Sequence, residues 1–311
     1  MNNISFFGFS LEPLILFLSL IMFLAIFGLS CFVSANPWED MIGTKAGLMD
    51  NFPKQYILPY QVIKVNDPPN LVDLDYPVVM KPNFYNGKGK NVSIIRNSTE
   101  AKNYLNKIAK LNREIEIDQE IVVQKFHPGP YEVGILWERY PHQMFTDKPG
   151  RIVSIVEKRE INSDPKFKNL PRSYYGLKRA GDAFYNLRDR PEWITTELTQ
   201  TMNQIAETFP NFYAGRYDIR FSELDKFLKG QDFKIVELNG ADGEDLRAYL
   251  AESSTLKKKI VTARTLGVRM IMGLENILLG QSQSTWTNIC NVFKFLKYLL
   301  IDSKRIKNVL T

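Results

Sequence analysis

"FKIVELNGADGED", Phe233 to Asp245, is an apolar run that ends in an acid and an amide, then breaks into a glycine-containing acidic turn. Phe233, Ile235, Val236 and Leu238 read as a buried strand. Glu237 and Asn239 are two residues apart, so on a strand their side chains leave the same face. Two hard oxygen donors held side by side on one rigid element suit a magnesium ion. In isolation the pattern equally describes a strand end with a surface acid and a turn-forming Asn239-Gly240 pair. The rest of the chain has to decide between the two.

Composition narrows the field first. The 311 residues are enough for one large domain or two modest ones, and 44% hydrophobic with 24% charged residues is ordinary for a globular protein. A net charge of +6 and a pI near 9.1 suit a phosphate-bearing partner or an anionic membrane surface. The basic residues are scattered, with no arginine–aromatic stripe and no zinc spacing, so no nucleic-acid partner is expected. Two cysteines, Cys31 and Cys290, cannot build a disulfide framework or a metal knuckle. His127 and His142 have no serine or cysteine motif beside them, which argues against a Ser-His-Asp hydrolase.

"LILFLSLIMFLAIFGLSCFV", Leu14 to Val33, runs without a charge for the length of a bilayer-spanning helix, with Pro13 before it and Trp38 after it. Val33-Ser34-Ala35 resembles a signal-peptidase site, which is the rival reading. Against it, the first twelve residues hold no Lys or Arg, and the run exceeds a typical signal core. The expectation is an uncleaved single-pass membrane anchor. Lys45 and Lys54 beyond it place the body on the cytoplasmic side.

The chain divides into an N-terminal segment 1–36, a proline-dotted connector 37–75, an α+β body 76–254 and a helical C-terminal region 255–311. "STEAKNYLNKIAKLNREI" opens with a helix start at Ser98 and Glu100, and repeats Ala101, Leu105 and Ile108 at helical spacing. "EIVVQKF" and "GRIVSIVEKRE" read as strands. The apolar and basic tail "NICNVFKFLKYLLIDSKRIKNVL" is compatible with a membrane-surface helix and with a helix packed on the body.

Three further segments carry chemistry. In "VVMKPNFYNGKGKNVSII" a strand ends at Lys81, and a loop holds Asn86, Gly87, Lys88 and Gly89 before the next strand. Glycine turns offer backbone N–H groups to anions, and lysines act as point charges for phosphate. This is not a P-loop, because no helix opens after the glycines. A basic hairpin is the plainer reading. In "IVVQKFHPGPYEVGIL" a strand enters a turn and returns through Glu132; the backbone of Gln124, Lys125 and Phe126 could read an adenine edge while Glu132 faces a ribose. The plainer reading is a tight turn with Glu132 exposed. In "YAGRYDIRF" Asp218 stands between Arg216 and Arg220 at two-residue spacing, so all three share a strand face and the acid would stay ionised. That arrangement suits an ion-pair ladder. It also suits a metal-ligating carboxylate beside arginines that grip a phosphoryl group.

The order of these four segments, Lys81-Pro82 with the glycine loop, then "QKFHPGPYE", then "GRYD", then "VELNGADG", resembles the ATP-grasp superfamily, and within it the D-alanine–D-alanine ligase-like carboxylate–amine ligases. The resemblance covers about residues 75–250. It implies an ATP-grasp fold, two α+β subdomains (76–125 and 126–254) clamping ATP, preceded by one transmembrane helix. It implies ATP with magnesium, or manganese in its place, and a carboxylate activated as an acylphosphate for attack by an amine. Lys81 is similar to the phosphate lysine, and Asn86, Gly87, Lys88 and Gly89 to the flap. Gln124, Lys125 and Phe126 resemble the adenine hinge, and Glu132 the ribose acid. Asp218, Glu237 and Asn239 correspond to the magnesium ligands. Lys158 looks like a further phosphate lysine, and Arg216 like the arginine that stabilises the oxyanion of the tetrahedral intermediate.

The chain departs from that pattern in three places. Gln124 stands where the ligases often have an acid, "SELDKFLKGQD" lengthens the path from Asp218 to Glu237, and the domain that usually precedes the core is reduced to the anchor and connector. The expected partners are ATP, a small-molecule or peptide carboxylate, an amine, and the membrane. The alternatives are an ATP-grasp kinase acting on a small molecule and a nucleotide-binding membrane protein without catalysis.

Overall fold

Two antiparallel sheets, one of four strands and one of five, hold the described strands apart from a two-residue ladder between β1 (Ser5–Phe6) and β2 (Phe9–Ser10). The computed structural model describes residues 5–6, 9–10, 27–32, 34–36, 44–66, 71, 74–83, 91–115, 120–146, 148–160, 185–209, 211–241, 243–250 and 252–281.

The first sheet runs in the order β3 (Tyr60–Lys64), β6 (Glu120–Lys125), β4 (Val78–Pro82), β5 (Ser93–Ile95). Helix α2 (Ser98–Ile115) covers it. Ala101, Tyr104, Leu105 and Ile108 recur at helical spacing and pack on Ile63, Val78, Met80, Ile121 and Val123. Each such apolar side chain contributes roughly 1.5–3 kcal/mol on burial. The helix covers the stretch read from sequence, Ser98–Ile115, and Asn97 caps it. Asn97 Oδ1 accepts from the Glu100 N–H at 2.9 Å, and Glu100 accepts from the Arg96 N–H at 2.9 Å, a reciprocal cap.

The second sheet runs in the order β11 (Phe233–Asn239), β10 (Ala214–Phe221), β7 (Tyr131–Glu138), β8 (Arg151–Glu160), β9 (Tyr185–Asp189). Helix α3 (Thr196–Ala206) lays Leu198, Met202, Ile205 and Ala206 on it, with Thr195 capping its first turn. The short helix α4 (Leu224–Leu228), within the loop that lengthens the path to Glu237, inserts Phe227 against Phe221 with ring centroids 4.0 Å apart. This loop is therefore part of the core.

Residues 37–75, read from sequence as a connector, contribute two elements. Helix α1 (Lys45–Asp50) starts on a Thr44 cap, and β3 pairs with β6 from Tyr60↔Gln124 to Lys64↔Glu120. The prolines around β3 mask its alternation, and its position at the sheet edge tolerates them.

Helix α5 (Thr255–Leu278) packs beside the second sheet. Among the described residues no helix is long and apolar enough to cross a membrane. The expected span, 14–33, lies mostly outside them, as does the tail 282–311. The described end of that span, residues 27–32, is helical and packs on protein. Cys31 is buried, and its carbonyl oxygen lies where a Cβ on Gly273 of α5 would stand. Asn276 of α5 donates to the carbonyls of Ser34 and Ala35, and Asn36 bonds both Tyr213 and Ala214 at the start of β10.

Candidate active site

The alternation of β11 changes phase part-way along. Phe233 and Ile235 are buried on the core side, but so is Leu238, an odd step later. The cause is a bulge. Asp218 pairs with Glu237 and Ile219 with Ile235, so Val236 has no partner on β10. The bulge turns Glu237 and Asn239 away from the core, opposite Asp218 and Arg216 respectively. The acid and amide of the last strand thus face the Arg-x-Asp of its neighbour, as the sequence pattern requires. Across β10 on the other side stands Gly134, register partner of Asp218. A Cβ there would come within 2.6 Å of Leu246 and 3.2 Å of the Arg216 side chain. A side chain at this position would crowd the site.

Three lysines from different elements converge on these carboxylates. Lys158 of β8 lies 3.0 Å from Asp218 and 3.5 Å from Glu132. Lys81 of β4, in the first sheet, donates to Gln124 Oε1 at 3.0 Å and to the Val236 carbonyl at 2.8 Å. That carbonyl belongs to the bulged residue, so the bulge also supplies the acceptor that joins the two sheets here. Lys45, the first residue of α1, donates to Glu237 at 2.7 Å. All three lysines are buried. Arg216 bonds Asp218 at 3.1 Å and the Glu244 carbonyl at 3.0 Å, holding the acidic turn. Arg220 lies 3.8 Å from Glu132, and its guanidinium sits over Phe126 at 5.2 Å.

The field is visible in Glu237. Burial would raise its carboxyl, but the charges of Lys45 and Lys81, the hydrogen bond from Lys45 and the charge of Arg216 outweigh this and hold it down at about 2. Among the described residues the cations Lys45, Lys81, Lys158, Arg216 and Arg220 gather around the carboxylates Glu132, Asp218, Glu237 and Glu244.

The structure therefore brings together Lys81, Gln124, Glu132, Lys158, Arg216, Asp218, Glu237 and Asn239. Asn86, Gly87, Lys88 and Gly89 lie outside the described residues. Lys125 points its side chain away, to Asp75 at 2.7 Å. The hinge backbone is partly committed, because the Lys125 N–H donates to Pro59 O at 2.9 Å and the Phe126 N–H to Pro77 O at 3.3 Å. Those two donors are not available to a base edge. Gln124 is likewise engaged through its carbonyl with Lys81. Sequence reading missed Lys45, which stands alone in the connector with no motif around it. It also passed over the buried set formed by Glu138 with Arg264 at 3.0 Å and Arg269 at 3.4 Å.

Among the described residues no group of three or more His, Cys, Asp or Glu side chains could hold a metal alone. Asp218, Glu237 and Asn239 offer two carboxylates and an amide. Magnesium is commonly bound by one or two carboxylates with water and substrate phosphates completing the shell, so this donor set fits it.

No family model matches the chain, and no curated protein matches it. Solved structures do. The crystal structure of D-alanine–D-alanine ligase from Bacillus anthracis complexed with ATP matches over 71% of this chain and 62% of that one, with 16% identity and a TM-score of 0.43. The ADP complex of N5-carboxyaminoimidazole ribonucleotide synthetase matches over 63% and 44%, with 15% identity and a TM-score of 0.40. This chain is similar to them. A second structure of the Bacillus anthracis ligase matches over 76% and 66%, at a TM-score of 0.43, so the chain spans less than two thirds of each of the three.

Proposed function

We propose that the chain is an ATP-grasp ligase that activates a carboxylate as an acylphosphate for attack by an amine. The observation that supports this best is the cluster of Lys45, Lys81 and Lys158, buried from three elements and facing Asp218, Glu237 and Asn239. Buried cations are costly unless an anion joins them. A nucleotide triphosphate with magnesium is such a ligand, and it would dock between lysines that now bond the site's own acids.

In this reading Asp218, Glu237 and Asn239 would hold magnesium, which would supply neutralisation of phosphate charge. Lys81 and Lys45 release Gln124, Val236 and Glu237 to phosphate oxygens. Lys158, seated between Glu132 and Asp218, meets the transferred group, and Glu132 is placed for the ribose. Arg216, tethered by Asp218 and the Glu244 carbonyl, is placed to stabilise the oxyanion that forms when the amine attacks. The glycine loop 86–89 belongs over the phosphates. No side-chain nucleophile is required, in keeping with positioning and charge stabilisation as the source of rate.

We also place the body on the cytoplasmic side of a membrane, held there by the apolar run that begins at Leu14. A reporter fused after Thr311 that proves extracellular would overturn that orientation. The activity is tested by following ADP release from the full-length protein over a panel of acid–amine pairs. Release that needs magnesium, an acid and an amine together is expected, and Glu237→Gln should abolish it. Phosphorylated product formed without any amine would make the chain a kinase instead.

A further inference from the structure

Helix α5 is apolar on two opposite sides. Its inner face buries Thr265, Val268, Arg269, Met272, Gly273 and Asn276 against the body. Its outer face carries Leu256, Ile260, Met270, Ile271 and Leu278, recurring at helical spacing, with Leu256 68% and Leu278 76% exposed. Between Ala263 and Leu279 the charged residues are Arg264, Arg269 and Glu275. Each of them turns from that face, Arg264 and Arg269 to Glu138 and Glu275 to His142 at 2.9 Å. An exposed apolar helix face rimmed by polar residues marks a contact with a partner or with lipid.

Two observations choose lipid. Lys257 and Lys259, both exposed on the first turn of α5, flank this face on either side, the arrangement an anionic headgroup layer attracts. Phe27, 43% exposed, extends the apolar face, because the next residue, Gly28, packs at Met270. Phe27 lies within the uncharged stretch of sequence that begins at Leu14. That stretch and a helix with exposed Leu, Ile and Met side chains adjoin at Phe27.

We propose that the outer face of α5 is a lipid-docking surface, on which the helix lies in the plane of an anionic bilayer with Lys257 and Lys259 at the headgroups. A helix of this length would lay about 36 Å of apolar surface along the membrane. This contact is distinct from the N-terminal anchor. It fixes how the body is oriented against the bilayer and does not depend on the ligase reading.

The test uses the full chain with Cys290→Ser, so that an environment-sensitive fluorophore labels one introduced cysteine at a time: Ile260→Cys, Met270→Cys, Leu278→Cys, or the exposed Lys229→Cys as a control. In vesicles containing anionic lipid, emission at the three α5 positions should shift to the blue and be quenched by spin-labelled acyl chains, while the control does neither. Lipid-independent protection of the three labels would overturn the proposal in either of two ways. A doubled mass would show that a second copy covers the face, and loss of protection on deleting 282–311 would show that the tail does. Equal quenching on neutral and anionic vesicles would overturn the role given to the lysines. Because no readout involves ATP, failure here and failure of the proposed activity remain separate results.

Discussion

Lys45 and Glu237 stand 192 residues apart in the chain and 2.7 Å apart in space. Their ion pair joins the helix that precedes the first sheet to the last strand of the second, on the lip of the proposed phosphate site. Replacing Lys45 by Met keeps most of the stem's packing and removes the charge. Nucleotide affinity, measured by calorimetry on the magnesium complex, should fall about tenfold or more, the scale of one lost hydrogen bond between charged groups. Unchanged affinity would remove Lys45 from the site.

Glu237 also sets an acid limb on stability. Its carboxyl is depressed from an ordinary 4.5 to about 2 in the folded protein. A depressed acid stabilises the fold fully above its unfolded value, and that contribution fades as pH falls from about 4.5 toward 2. Urea midpoints recorded across that window should fall with pH in the parent protein. Glu237→Gln should show a shallower fall, and parallel curves would refute the assignment.

Gly134 leaves space that Arg216 and Leu246 occupy. In Gly134→Ala the new methyl would press on the Leu246 side chain and crowd the Arg216 stem beside Asp218. A stability loss of about 1–3 kcal/mol is expected from overpacking. ADP release should drop further than that loss explains, because the displaced group is the arginine. Full activity would mean that Leu246 alone gives way.

At Gly273 the conflict is with backbone. A Cβ there would lie 1.5 Å from the Cys31 carbonyl oxygen. Gly273→Ala should therefore push residues 27–36 off α5, lowering the melting temperature and opening a protease site near Ser34. A variant as protease-resistant as its parent would show that α5 can shift instead.

The sequence showed the site's parts better than their joins. Asp218, Glu237 and Asn239 stood out because strand alternation acts locally, and Lys81 because it ends a strand before a glycine loop, whereas Lys158 came only from the resemblance to the ligases. Lys45 did not, since nothing near Thr44 signals a contact made across the molecule. The adjacent apolar pair Ile235–Val236 was the one written trace of the bulge, and it is easily read as a continuous buried run. β3 was hidden by the prolines around it, and the Asn97 cap by the Ser98 that follows it. The hinge was placed by motif order, but only the backbone hydrogen bonds to Pro59 and Pro77 reveal which of its N–H groups are already committed.

The bulge at Val236 makes chain length itself part of the chemistry. A strand shortened by that one residue would alternate evenly from Phe233 onward and lose no charged group. Its last three side chains would keep their sides, Leu238 toward the core and Glu237 and Asn239 toward Asp218 and Arg216, but the carbonyl that accepts from Lys81 would be gone. A single-residue deletion here would therefore strike the joint between the two sheets while leaving the strand's own alternation intact.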